Sequence, residues 1–316
     1  MPTIAQTLFA EIIDYAGLFP PARLPMDEAF ARFVKHRSSD AGWLMARFVC
    51  PAARLPELAP LIEGADLRPA PVRIAALGAG GDDQPAYAGS MEDDVGSMAS
   101  FIDGLQGKAV IDAFEVKLPS SGDPSEVVDF TIHHLDDLPS RAPVPYFEVP
   151  LLGAFLDPAV VASSVAIASH LVDPGRRAGL KIRCGGLDAA AIPTVEAVAA
   201  AVAGCRASSL PLKATQGLHH PVRRHDSELG ATTHGFLNVF AASILGDDHD
   251  LDESEIGKIV AEEDPAAFSL TETALGWRGL ESGFQGIARG RMTTIASFGS
   301  CSFSEPRDDL AAFGWL

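Results

Sequence analysis

Residues 113–119 read AFEVKLP, a strict alternation of apolar and charged side chains. In an extended strand successive side chains point to opposite faces, so Phe114, Val116 and Leu118 share one face and Glu115 and Lys117 the other. Four further runs repeat the pattern. LKIR at 180–183 sets Leu180 and Ile182 against Lys181 and Arg183, and LKAT at 212–215 sets Leu212 and Ala214 against Lys213 and Thr215. YFEV at 146–149 sets Phe147 and Val149 against Tyr146 and Glu148, while in LMARF at 44–48 Arg47 opposes Leu44, Ala46 and Phe48. A sheet covered by helices keeps its outer face apolar, which turns the charged face inward, toward the axis of a closed barrel.

These runs belong to a longer repeat. The sequence predicts strands at Ile12–Gly17, Trp43–Val49, Val72–Leu77, Ile111–Leu118, Val144–Val149, Leu180–Cys184, Leu210–Thr215 and Phe268–Leu275. Helical stretches such as PMDEAFARFVKH, DPSEVVDFTIHHLDDL and TVEAVAAAVAGC lie between them, two opened by the pairs Asp123-Pro124 and Asp157-Pro158. The first seven strand starts are spaced by about thirty to forty residues, the size of a strand with its return helix. Eight such units predict an α/β fold, a (β/α)8 TIM-like barrel forming a single domain over 1–316. The surplus length falls in an insertion after strand seven (about 219–264) and an additional C-terminal segment (about 276–316). An open doubly wound sheet is the alternative, but no G-x-G-x-x-G follows the first strand, and GAGGDDQP at 78–85 is spaced differently.

Composition narrows the partners. Forty-two Asp and Glu against 24 Lys and Arg give a net charge of -18, which argues against nucleic acid. Cysteines 50, 184, 205 and 301 show neither a disulfide framework nor metal spacing. Uninterrupted apolar runs fall short of spanning length, so no membrane partner is expected. The opening MPTIAQTLFAEIIDYAG lacks a basic segment followed by an apolar one, so the expected location is cytoplasmic. A homo-oligomer is compatible with all of this.

The inward faces carry five bases (Arg47, Lys117, Lys181, Arg183, Lys213) against two acids (Glu115, Glu148). Buried cations need counter-ions, and a small anionic metabolite bearing a carboxylate or phosphate is the expected one; internal pairing is the alternative. Arg47, Lys117, Arg183, Thr215, Tyr146, His220 and Asp14 are the candidate substrate contacts, Asp14 reaching inward from strand one to balance a base or move a proton. Lys181 and Lys213 fall on adjacent strands, where a neighbouring cation and desolvation lower a lysine's pKa and free the amine to attack a carbonyl. Glu115 and Glu148 are candidate proton carriers, as is His219 in GLHHPVRRHD, expected to overhang the pocket after strand seven. No cofactor is predicted. A divalent metal on Glu115, Glu148 and these histidines is the alternative, although no H-E-x-x-H is present. SFGSCS at 297–302 reads as a tight turn or a phosphate loop, with Cys301 a thiol lacking an identifiable base.

The pair Lys181 and Lys213, with LKATQG at 212–217, resembles barrel aldolases that form a Schiff base, such as deoxyribose-phosphate aldolase. The resemblance implies that Lys181 on strand six forms the imine and that Lys213 on strand seven tunes it. It departs at Arg183, where the aldolase pattern has a small hydroxyl residue. The expected function is therefore an enzyme acting on a small anionic, carbonyl-bearing metabolite, a lysine-dependent lyase or aldolase. A metal-assisted hydrolase or isomerase on the same barrel, phosphate-ester chemistry and a non-catalytic anion-binding protein are the alternatives.

Overall fold

Eight parallel strands close into a ring in the computed structural model, which describes residues 2–65, 67, 71–119, 122–152, 157–172 and 177–316. Seven of them follow one another along the chain: β1 (Ile13–Tyr15), β2 (Met45–Pro51), β3 (Val72–Leu77), β4 (Ala109–Lys117), β5 (Val144–Val149), β6 (Gly179–Arg183) and β7 (Leu212–Thr215). Then come a hairpin, β8 (Arg224–Asp226) and β9 (Ala231–Thr233), and a three-stranded antiparallel sheet of β10 (Phe268–Leu270), β11 (Ala274–Trp277) and β12 (Leu280–Gly283). The last strand, β13 (Ile295–Ser300), slots between β7 and β1 and completes the ring. The fold is a (β/α)8 barrel, with the hairpin and the small sheet added in the C-terminal part of the chain.

The helices are α1 (Ile4–Phe9), α2 (Met26–Arg37), α3 (Leu55–Gly64), α4 (Gln84–Leu105), α5 (Pro124–Asp136), α6 (Pro158–Val172), α7 (Val195–Ala207), α8 (Phe236–His249), α9 (Glu253–Val260), α10 (Phe284–Thr293) and α11 (Ser304–Ala312). Local chemistry fixes where several begin. Asp83 caps α4 by accepting the Ala86 N–H at 2.9 Å, Asp123 caps α5 through Ser125, and each is followed within two residues by a proline, which gives up no helical hydrogen bond there. The run Ala189–Ala207, with mean hydropathy 1.3, is long and apolar enough to cross a membrane; here its helix α7 packs against α6, α8 and α9.

One strand differs from expectation. Phe268–Leu275, predicted as barrel strand eight, instead contributes to the antiparallel β10–β11–β12 sheet, and the ring is closed by Ile295–Ser300. The turns decide this. Arg278 and Gly279 both have positive φ (45° and 89°), the geometry of a two-residue hairpin, whereas a parallel return needs a crossover of a dozen or more residues. The segment from 276 onward therefore supplies a barrel strand and its helix α11 as well as material outside the ring.

Between sheet and helices lies the main apolar core, with Phe48, Phe114, Phe147, Leu180, Ile182, Leu212 and Phe298 facing out from the strands. Inside the ring a small apolar cluster of Val49, Ala75, Ala113 and Tyr146 fills the β2–β5 side. The charged residues occupy the rest.

Candidate active site

The strand register sets the inward side chains beside one another. Lys117 is level with Glu148, Glu148 with Lys181, Lys181 with Lys213, and Asp14 with Arg47. Lys213 and Lys181 are 1% and 4% exposed, and Asp14, Glu115, Glu148 and Tyr146 are equally buried. Ion pairs of alternating sign run through the barrel. At the C-terminal mouth Arg183 Nε lies 2.7 Å from Glu148, which lies 3.0 Å from Lys181; Lys181 is 2.7 Å from Glu115, and Glu115 also accepts from Lys213. Lys213 reaches Asp14 at 2.8 Å, Asp14 pairs with Arg47 at 3.4 Å, and Arg47 and Arg73 both grip Asp112 at 2.6 Å. Arg73 ends the chain on Glu11 at the opposite, N-terminal end. Ser297 of β13 donates to Asp14, and the Tyr146 ring lies under Lys213 Nζ, 5.4 Å from the ring centre.

That geometry corrects the expected charge excess. The network holds Arg183, Lys181, Lys213, Arg47 and Arg73 against Glu148, Glu115, Asp14, Asp112 and Glu11, five charges of each sign. Lys117 does not join it: at the end of β4 its side chain is exposed, with no ion pair among the described residues. Asp112 and Ser297 escaped the alternation rule. Asp112 is the extra residue where Ile74 pairs with Ile111 but Ala75 with Ala113, a bulge that shifts the parity of β4. Ser297 lies in the strand that was not expected to be one.

The expected fall in lysine pKa is also reversed. Burial is the largest single influence and pushes both amines toward neutrality. Glu115 with Glu148 at Lys181, and Asp14 with Glu115 at Lys213, outweigh it, so both lysines titrate above the ordinary lysine value. Burial likewise raises Glu115, but Lys181 and Lys213 bring it down to about 2; Asp14 is lowered against its own burial by Lys213 and Arg47. Lys181, Lys213, Glu115 and Asp14 are thus held in their charged forms.

Other predicted site residues are placed as follows. Thr215 ends β7 level with Arg183 and Gly299, part-buried at the mouth. His219 and His220 do not face the lysines. Their Nδ1 atoms meet Glu305 at 3.0 Å and Asp309 at 2.6 Å, tying the loop after β7 to α11. Among the described residues no group of three or more His, Cys, Asp or Glu is arranged to hold a metal.

The arrangement can hold an ammonium or an iminium equally well, with cations at the rim. Arg183 has half its side chain in solvent and offers its remaining guanidinium edge, and Lys117 stands on β4 beside Glu148.

No protein-family model and no curated protein matches the sequence. Among solved structures the chain is similar to a deoxyribose phosphate aldolase from Aeropyrum pernix, described as having a tetrameric structure, at 15% identity and a TM-score of 0.44, covering 69% of this chain and 85% of that one.

Proposed function

We propose that the chain is a lysine-dependent lyase of the aldolase type, acting on a small carbonyl compound that carries a carboxylate or phosphate. The observation that carries this reading is the pair Lys181 and Lys213, buried side by side on neighbouring strands and sharing Glu115. Lys181 is the nucleophile, since it lies between Glu115 and Glu148, the second of which reaches the half-exposed Arg183 at the mouth, whereas Lys213 is enclosed by Asp14, Glu115 and Tyr146.

The ionised resting state sets the order of events. Lys181 first passes a proton to Glu148, 3.0 Å away. Its free Nζ then attacks the carbonyl carbon, and the carbinolamine loses water as a proton returns from Glu148. The resulting iminium has the charge of the ammonium it replaces, so the pairing with Glu115 is restored. Glu148, again a carboxylate, takes the proton of a hydroxyl on the β carbon. The Cα–Cβ bond breaks with its electron pair moving into the iminium, so the β carbon leaves as a carbonyl and an enamine stays on Lys181. Protonation of the enamine, followed by hydrolysis of the imine, frees the second product and the lysine. Lys213 stays protonated and acts as a positioning residue, fixing Glu115. Arg183 and Lys117 receive the substrate's anionic group at the rim.

Borohydride reduction in the presence of small oxo-acids and phosphorylated aldehydes, followed by peptide mass mapping, tests this. The expected result is a mass adduct on Lys181 that disappears in Lys181→Arg. Absence of an adduct on either lysine overturns the covalent reading. The complete charge balance of the network favours a second reading, a non-catalytic barrel whose interior ions only hold the strands. It predicts that Lys181→Met changes stability while no turnover is found to lose.

A further inference from the structure

Above Asp14 the barrel interior has two unlike halves. In the closed ring β6 lies four strands from β2, and β5 four strands from β1, so these strands face one another across the axis. β5 and β6 bring Glu148, Lys181 and Arg183 toward the mouth. The strands opposite them bring apolar groups. Val49, the next inward residue of β2 after Arg47, belongs to the interior cluster with Ala75, Ala113 and Tyr146. Ala16, one residue past the end of β1, and Phe19 in the loop that follows both pack onto this cluster.

Phe19 differs from the rest of that cluster in its exposure. Val49, Ala75, Ala113 and Tyr146 are buried, whereas the Phe19 ring is only part-buried, at the same C-terminal end of the barrel as Arg183. The backbone beside it is already engaged: the Ala16 N–H donates to the Ser300 carbonyl at 2.7 Å, and the Phe19 N–H to the Ala16 carbonyl at 2.9 Å. The inward charges of β1 and β2 are engaged too, Asp14 with Lys213 and Arg47, and Arg47 with Asp112. A hydroxyl set against Phe19 and Val49 therefore loses water and gains no partner from these groups, while an apolar group gains by leaving water.

We infer that the group carried by the substrate's hydroxyl-bearing carbon is a short alkyl or aryl group, and that Phe19, with Val49 beneath it, selects that group. This rests on the lysine chemistry proposed above and narrows its substrate to 4-hydroxy-2-oxo acids with an apolar substituent on carbon 4. The cleavage is R–CH(OH)–CH2–CO–COO⁻ to R–CHO and CH3–CO–COO⁻. One carbon–carbon bond breaks, the hydroxyl proton is balanced by the one gained at the new methyl group, and no oxidant or reductant enters. The carboxylate and the reacting carbonyl lie on the Arg183 and Lys181 side, and R lies on the Phe19 side.

Borohydride trapping on the intact protein tests the selection. 4-Hydroxy-2-oxohexanoate and 4,5,6-trihydroxy-2-oxohexanoate share their chain length, carboxylate and reacting groups and differ only in two hydroxyls on R; pyruvate lacks R altogether. Adducts on Lys181 are quantified by peptide mass mapping over a concentration series, with those of the intact compound and of its pyruvate fragment summed. The expected result is half-maximal labelling by the ethyl-bearing acid at a concentration about tenfold to a hundredfold below that of the trihydroxy acid. In Phe19→Ser, and separately in the near-isosteric Val49→Thr, that ratio falls about threefold or more, because each supplies a hydroxyl partner. Labelling of Lys181 with a wild-type ratio near one or inverted, or a ratio that both variants leave unchanged, overturns the inference and leaves the lysine chemistry standing. Absence of label from all three compounds overturns both.

Discussion

Glu115 carries two ammonium groups at once, so it is the residue whose loss the interior tolerates least. Glu115→Gln leaves Lys181 with Glu148 alone and Lys213 with Asp14 alone, in surroundings closed to water. Breaking a buried pair from one side costs about 3–5 kcal/mol, and that loss in urea unfolding is the expected outcome. The Glu115→Gln, Lys213→Met double variant is expected to lose less than the sum of the singles, because the two changes remove opposite partners of one contact. Additive losses in the cycle would mean that the two groups do not share their charge. Alternation along AFEVKLP and LKIR was enough to locate Glu115 and Lys181, since face follows parity. It did not locate their surroundings. Asp112 sits at a bulge where parity breaks, and Lys117 obeys parity but lies at the strand end, where facing the axis no longer means burial.

At the scale of strands, small residues decide which long side chains fit inside the ring. A methyl group at Gly179 would stand 2.4 Å from Tyr146 Cε1 and 2.7 Å from the Pro211 carbonyl oxygen. Gly179→Ala is therefore expected to destabilise by about 1–3 kcal/mol and to push the tyrosine ring off Lys213. A shifted Tyr146 absorbance together with a lower urea midpoint would show both effects, and an unchanged midpoint would show that the ring gives way freely. Seven strands were legible because each is a compact apolar run followed by a helix. The eighth was not. IASFGS at 295–300 is built of small and hydroxyl-bearing residues, as the inner face next to Asp14 and Thr215 requires, so its apolar signal is weak. The stronger apolar run at 268–275 belongs to the small sheet. Ending the chain at Thr293 would thus strip β1 and β7 of their common neighbour, leaving two open strand edges. Aggregation in size-exclusion chromatography is the expected result, and a soluble monomer with native circular dichroism would contradict β13 as the closing strand.

Across the whole molecule, two kinds of buried carboxylate pull stability in opposite directions with pH. Asp94 on α4 accepts the Ala79 N–H at 2.9 Å, yet burial outweighs that hydrogen bond and lifts its pKa to about 6. Its folded form holds a proton that the unfolded chain releases at a lower pH. Stability from Asp94 is therefore full below about pH 4 and is lost as pH rises through about 6, by up to about 3 kcal/mol at 1.36 per unit. Glu115 and Asp14 behave in the reverse sense. Their folded pKa values lie below the unfolded ones, so their contribution is present above about 4.5 and is lost as pH falls toward about 2. The net charge of -18 adds a third influence, since self-repulsion relaxes as pH approaches the isoelectric point near 4.8. Together these place maximal stability near pH 4.5–5.5, acidic of neutrality, with a steep acid limb below it. Urea midpoints measured from pH 3 to 8 at fixed ionic strength test this. Asp94→Asn, which keeps an acceptor for Ala79, should flatten the decline between pH 5 and 7 and leave the acid limb untouched. Lys213→Met should instead move the acid limb upward in pH, because Glu115 and Asp14 then protonate more readily. A wild-type optimum at pH 7 or above would mean that Asp94 does not keep its proton in the folded barrel.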